Sequence, residues 1–95
     1  MTVRRERNAE KSRQDILAAA ERHFAEKGFY GARVDEIAAD AAINKRMLYE
    51  YFGSKEMLYK QVLFTVYKRL EVEERKLIER QLTGVALIRN LISMY

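Results

Sequence analysis

Residues 34–55 read VDEIAADAAINKRMLYEYFGSK, and this stretch decides the fold. Val34, Ile37, Ala38 and Ala41 stand at the i, i+3, i+4, i+7 spacing of one helix face. A short break follows at Ala42-Ile43-Asn44. Asn44 suits the cap of a second helix, because its side-chain oxygen can accept from the free backbone N–H groups of a first turn. That helix is expected from about Lys45 to Phe52, with Leu48 and Phe52 turned inward and Ile43 filling the angle between the two helices. An elbow between closely approaching helices needs small residues, and Ala38, Ala41 and Ala42 are small. The remaining positions, Lys45, Arg46, Tyr49, Glu50 and Tyr51, are long, polar-tipped and mostly cationic or aromatic. Two short helices, a tight elbow and a basic, aromatic second helix describe a helix-turn-helix over about residues 33–52.

Each part has a physical reason. A helix of about 10–12 Å diameter fits a DNA major groove about 12 Å wide. Residues at its N-terminus reach base edges, and the helix dipole favours a phosphate there. Lys45 and Arg46 sit where such contacts are made. Met47 can touch a thymine methyl or pack at the helix rim. Glu50 repels phosphate, so it either faces a cytosine amine or points away. Gly53-Ser54 ends this helix, and Ser54 caps the next. Lys55 then falls in a first helical turn, where a cation opposes the dipole. A phosphate ligand would offset that cost.

An ordered set of motifs extends the pattern on both sides. It comprises Arg13-x-x-Ile16-Leu17-x-Ala19-Ala20-x-x-x-Phe24-x-x-x-Gly28-Phe29, Val34-x-x-Ile37-Ala38, Ile43-Asn44-Lys45, Leu48-Tyr49-x-Tyr51-Phe52 and Lys55-Glu56-x-Leu58. Over roughly residues 12–60 the chain resembles the DNA-binding domain of the tetracycline-repressor (TetR) family. The resemblance implies that Tyr49 and Tyr51 give their hydroxyls to the DNA backbone and that Lys55 binds a phosphate. It also marks two departures. TetR-like domains often cap the second helix with a threonine or serine that also binds phosphate; here those positions hold Ala32 and Arg33. A weaker cap is expected, with Arg33 able to replace the hydroxyl contact by a charge-assisted one. Glycine is common at the elbow where this chain has Ala42, and alanine there is strained if the residue needs a positive φ.

Composition narrows the function classes. Ninety-five residues make one small domain at most. There is no cysteine and a single histidine, His23, which excludes disulfides and cysteine- or multi-histidine metal sites. His23 reads as a half-buried packing residue beside Phe24, since no serine or cysteine pairs with it as a catalytic set. There is no nucleophile–base set, phosphate loop or metal cluster, so the chain is not read as an enzyme and needs no cofactor. No run of 18 apolar residues and no signal-like apolar segment occurs, so a cytoplasmic protein is expected. Of the net charge of +4, a balance of +3 falls in residues 1–13: Arg4, Arg5, Arg7, Lys11 and Arg13 against Glu6 and Glu10. Residues 1–11 read as a flexible basic leader, either simply solvated or lying along DNA phosphates.

The first helix is expected to open at Ser12, with Asp15 in a shortened capping box. Ile16, Leu17, Ala20 and Phe24 make its inner stripe, and Gly28 stops it as a left-handed cap residue would, with Phe29 folding back. A fourth helix is expected from Lys55 to about Gln81, with Leu58, Val62, Val66, Leu70, Leu77 and Ile78 inward and Glu71–Arg75 as an i, i+4 ion pair. Thr83-Gly84 reads as its end. Val85, Ile88, Leu91, Ile92 and Tyr95 then form the apolar stripe of another helix that stops without a cap, as if cut inside a second domain.

The expected fold is therefore all-α: a three-helix, homeodomain-like head at 12–60, then a connecting helix and the truncated start of a C-terminal domain at 61–95. The expected function is sequence-specific binding of double-stranded DNA. The expected DNA-binding residues are Arg33, Asn44, Lys45, Arg46, Met47, Tyr49, Tyr51 and Lys55: Lys45, Arg46, Tyr49 and Met47 face the major groove beside the cap Asn44, and Arg33, Tyr51 and Lys55 hold flanking phosphates. The resemblance implies a homodimeric repressor on a palindromic operator, released by a small-molecule effector bound to a C-terminal domain. A helical protein–protein interaction module without DNA binding is the alternative; affinity for duplex DNA separates the two.

Overall fold

Helix α1 begins at Thr2, not at Ser12, and runs to Gly31. The computed structural model describes residues 2–93, with side chains from residue 8. The leader's Arg4, Arg5 and Arg7, and Tyr95 of the terminal stripe, lie outside the described side chains. The helix over residues 2–11 continues through Ser12-Asp15, where a capping box was expected. Its cause is local. Gln14 Nε2 donates to Glu10 Oε1 at 2.9 Å, and Lys11 Nζ donates to Asp15 Oδ2 at 2.8 Å, one helical turn apart. Such i, i+4 partners among good helix formers carry the helix through Ser12.

Within α1 the backbone leaves the helical region at Gly28, with φ 70° and ψ 178°. Ala32 N–H then donates to Gly28 C=O at 3.1 Å, closing the turn that leads into the next element. Helices α2 (Val34–Asp40), α3 (Lys45–Phe52) and α4 (Lys55–Ser93) follow, and no strand occurs among the described residues. The chain divides into two compact units, Met1–Phe64 and Thr65–Tyr95.

The first unit holds the core. Ile16, Ala19, Ala20 and Phe24 from α1 meet Val34, Ile37, Ala38 and Ala41 at α2 and its end, Leu48 and Phe52 from α3, and Leu58 and Val62 from α4; all are buried. Ile16, Ile37, Leu48 and Leu58 have no exposed side-chain surface to speak of. Burying each contributes about 1.5–3 kcal/mol. Leu17 and Ile43 are half-buried, so they border this core without filling it. An aromatic cluster closes one side. Tyr59 meets Phe24 edge-on at 5.0 Å and Phe29 at 5.1 Å between centroids, and Phe24 stacks on Phe29 at 6.2 Å.

The second unit is helical throughout its described part. The expected break at Thr83-Gly84 is absent, because a lone glycine costs a helix only about 1 kcal/mol and Thr83 Oγ1 returns a 2.9 Å bond to Glu79 C=O. Arg75 Nη2 lies 3.7 Å from Glu71 Oε1, as the spacing predicts. The inner face expected along this helix does not continue: Val66 is half-buried, and Leu70, Leu77 and Ile78 are exposed. A stripe is buried only where another element lies over it, and along α4 the buried residues are Leu58 and Val62.

Candidate nucleic-acid interface

The elbow between α2 and α3 is a helix-ending motif built on an alanine. Ala42 N–H donates to Ala39 C=O and Ile43 N–H donates to Ala38 C=O, both at 3.0 Å. These are the paired closing bonds of a Schellman turn, whose key residue is left-handed and usually glycine. Here Ala42 occupies it, at φ 58°. The strain anticipated for a positive φ at this position is therefore present, worth about 1–2 kcal/mol for a residue with a Cβ.

Asn44 then opens α3. Its backbone is extended, its Oδ1 accepts from Met47 N–H at 2.8 Å, and its carbonyl accepts from Leu48 N–H at 3.2 Å. Asn44 thus spends its side-chain oxygen on the cap. At the other end Gly53, at φ 88°, donates to Tyr49 C=O at 2.7 Å. Ser54 Oγ accepts from Met57 N–H at 3.1 Å and starts α4 one residue later. With Leu48 and Phe52 buried, α3 is held by its inner face and both ends. Its first turn exposes Lys45, Arg46 and Met47 to solvent, while Tyr49 and Tyr51 are half-buried.

Most of the candidate cations already have partners within the chain. Lys45 Nζ lies 3.1 Å from Asp35 Oδ1, and Arg33 Nη2 lies 4.0 Å from Asp35 Oδ2. The Lys45 hydrogen bond and charge hold the Asp35 carboxyl below its ordinary range. Arg46 Nε sits 3.5 Å from Glu50 Oε1, so Glu50 turns toward its own helix neighbour. Arg46 nevertheless keeps 90% of its side chain exposed, against 55% for Lys45. Arg33 stands at the N-cap of α2 with no side-chain cap bond, the weak cap that the missing hydroxyl implies. Lys55 Nζ lies 4.8 Å from the centre of the Phe29 ring, a cation–π seat at the start of α4.

Three contacts escape a reading by spacing. The Arg13 guanidinium lies 5.3 Å from the centre of the Phe52 ring, tying α1 to the end of α3. Lys27 Nζ donates to Glu36 Oε2 at 2.8 Å across the α1–α2 junction. That bond raises the Lys27 ammonium above its ordinary value and lowers the Glu36 carboxyl. His23 is half-buried, as expected, but it is also paired: Nε2 lies 2.5 Å from Asp40 Oδ2, and Nδ1 lies 3.9 Å from Glu36 Oε2. The bond to His23 lowers the Asp40 carboxyl. The Lys27–Glu36 and His23–Asp40 partners lie 9 and 17 residues apart, and Arg13 and Phe52 further still, so no local period signals them.

Residues 16–62 match the model of the bacterial regulatory proteins of the tetR family. The chain belongs to that family. It is similar to the HTH-type transcriptional repressor NicS of Pseudomonas putida, with 42% identity over 73 residues, covering 77% of this chain and 34% of that protein. Among solved structures it is similar to HlyIIR, a hemolysin II transcriptional regulator, with a TM-score of 0.55 and 41% identity over 57% of this chain and 30% of that one. A TetR-like transcriptional regulator from Rhodococcus superposes with a TM-score of 0.59 and 40% identity over 61% of this chain and 32% of that one. The chain spans about a third of the length of the relatives it matches. Among the described residues no helix is long and apolar enough to cross a membrane, and no group of side chains is arranged to hold a metal.

Proposed function

We propose that this chain is the DNA-reading head of a transcriptional repressor and that α3 enters the major groove of duplex DNA. One observation carries the reading. Helix α3 is capped at both ends and buried through Leu48 and Phe52, while Lys45, Arg46 and Met47 of its first turn stay exposed. A rigid helix with a cationic N-terminus is what groove insertion requires. Lys45, Arg46 and Met47 read base edges, with Tyr49 beside them. Arg33, Tyr51 and Lys55 hold the flanking phosphates, and Asn44 keeps the reading helix in place through its cap. Met47, 36% exposed, has the reach for a thymine methyl.

The family membership supports the finer parts. Two heads in a homodimer would occupy half-sites about one DNA turn apart, or a multiple of it, on a palindromic operator. A small-molecule effector bound outside this domain would change the spacing of the heads and release the DNA. Repression is favoured by the likeness to the repressor NicS, and a bacterial cytoplasm is the compartment such a reader needs.

The deciding experiment is fluorescence anisotropy of a labelled duplex of about three helical turns, read between about 50 and 200 mM salt. Binding should weaken with salt, each phosphate contact adding about −0.9 to the log–log slope. Lys55→Ala should reduce that slope and weaken all sequences alike. Arg46→Ala should relax base preference. An Arg46→Ala protein with unchanged affinity and preference would contradict the placement of α3 in the groove.

A further inference from the structure

Asp35 stands in the first turn of α2, and its carboxylate bridges the two helix starts that face the candidate interface. Oδ1 lies 3.1 Å from Lys45 Nζ at the start of α3, and Oδ2 lies 4.0 Å from Arg33 Nη2 at the start of α2. It is an anion set among the very cations assigned to DNA, with more than half of its side chain exposed. Resting on the DNA-binding reading above, we propose that Asp35 is a positioning and specificity-determining residue: by holding Lys45 Nζ at a fixed place, it directs that ammonium to a base edge and withholds it from non-specific phosphates.

The physics is a difference between two ligands. A lysine ammonium is a compact charge on a flexible four-carbon stem, and an unrestrained one binds any phosphate within reach. Such contacts raise affinity for every sequence and carry no sequence information. A carboxylate beside the ammonium changes this in two ways. It limits the positions the ammonium samples, and it repels approaching phosphates within a Debye length of about 8–10 Å. A base-edge acceptor such as guanine O6 or N7 carries no net charge. The Asp35 anion therefore penalises phosphate binding more than base-edge binding, and the ratio of specific to non-specific affinity rises. The Arg46–Glu50 pair is different. Both partners lie on α3 one turn apart, so it couples no second element to the reading helix.

Two measurements test the role on the full chain. In the free protein, carboxyl NMR should find Asp35 titrating below the ordinary aspartate range, and Lys45→Met should return it toward that range. On DNA, a site selected from a randomised duplex pool is compared with a mixed-sequence duplex for wild type, Asp35→Asn, Lys45→Met and the double variant. Asp35→Asn should strengthen mixed-sequence binding and lower the specificity ratio by roughly fivefold or more, the scale of one mismatched base pair. In the Lys45→Met background, Asp35→Asn should leave the ratio nearly unchanged, since its effect runs through Lys45. A merely structural role would lower both affinities together. An Asp35→Asn protein that keeps the wild-type ratio, or one that loses it equally without Lys45, overturns the role while the DNA reading stands. A wild-type chain that binds no duplex overturns the DNA reading and this role with it.

Discussion

The two units of this chain use the same kinds of residue to different ends. In the first, Ile16, Ile37, Leu48 and Leu58 are sealed from solvent. In the second, Leu70, Leu77, Ile78, Leu82, Ile88 and Leu91 all stand exposed on one helix. An apolar stripe at helical spacing marks a face with the capacity to be buried. Whether it contributes to stability depends on a second element arriving over it, and periodicity is silent about that. Four short-range devices bring such elements together in the first unit: the Gly28 turn, the Ala42 elbow, the Asn44 cap and the Ser54 cap. The sharpest way to break the comparison is a matched pair of truncations. Leu48→Ala should cost about 2–5 kcal/mol and lower Tm by at least about 8 °C in thermal melts followed by circular dichroism. Leu77→Ala, made in an exposed leucine, should leave the melt of the first unit where it was. Equal losses would mean that Leu77 is covered in solution.

The caps come next in size. Asn44→Ala removes the acceptor of the Met47 N–H bond and should destabilise the first unit by about 1 kcal/mol. Its effect on DNA binding should exceed this, because the first turn of α3 frays where Lys45 and Arg46 are carried. Amide hydrogen exchange at Met47 and Leu48 reads the fraying directly. Ala42→Gly acts in the other direction. It relieves a left-handed alanine, and after the larger entropy of an unfolded glycine is subtracted the gain should be about 0.5–1 kcal/mol. A destabilised Ala42→Gly protein would mean that the elbow in solution is not the left-handed turn described here.

Much of the first unit was legible because its determinants are local. Asn44 and Ser54 cap helices within three residues of themselves, Gly28 turns the chain where it stands, and the stripes of α1 to α3 face one core. Two local readings went wrong for equally local reasons. Ser12-Asp15 has the form of a cap, but Glu10–Gln14 and Lys11–Asp15 bonds hold the helix across it. Thr83-Gly84 has the form of a stop, but a single glycine with a threonine bonded back to Glu79 does not break a helix. At the candidate site, residue types were legible and their partners were not. Lys45 and Asp35 lie on different helices, as do Arg13 and Phe52, and only the folded elbow brings either pair together.

The smallest expected effect concerns the ion pairs that fasten α2 to α1 and to α3. Asp40 and Glu36 are lowered by His23 and Lys27 respectively, and Asp35 by Lys45. A carboxyl whose folded value is depressed binds protons more readily when unfolded, so stability falls as pH falls. The contribution is complete above the ordinary values of 3.8 for aspartate and 4.5 for glutamate, and it is lost as pH drops through the lowered ones. Lys27 works in the opposite sense. Its raised ammonium contributes fully below 10.5 and loses that contribution as pH climbs through the raised value. These groups are exposed, so each pair adds little. The acid limb should therefore be shallow, and Glu36→Gln should flatten part of it while removing the alkaline contribution of Lys27 as well. Chemical-denaturant melts at several pH values for wild type and Glu36→Gln test this. An acid limb of unchanged depth in Glu36→Gln would assign the whole dependence to Asp35 and Asp40, and so would move the fastening of α1 to α2 from the Lys27 pair to the His23 pair.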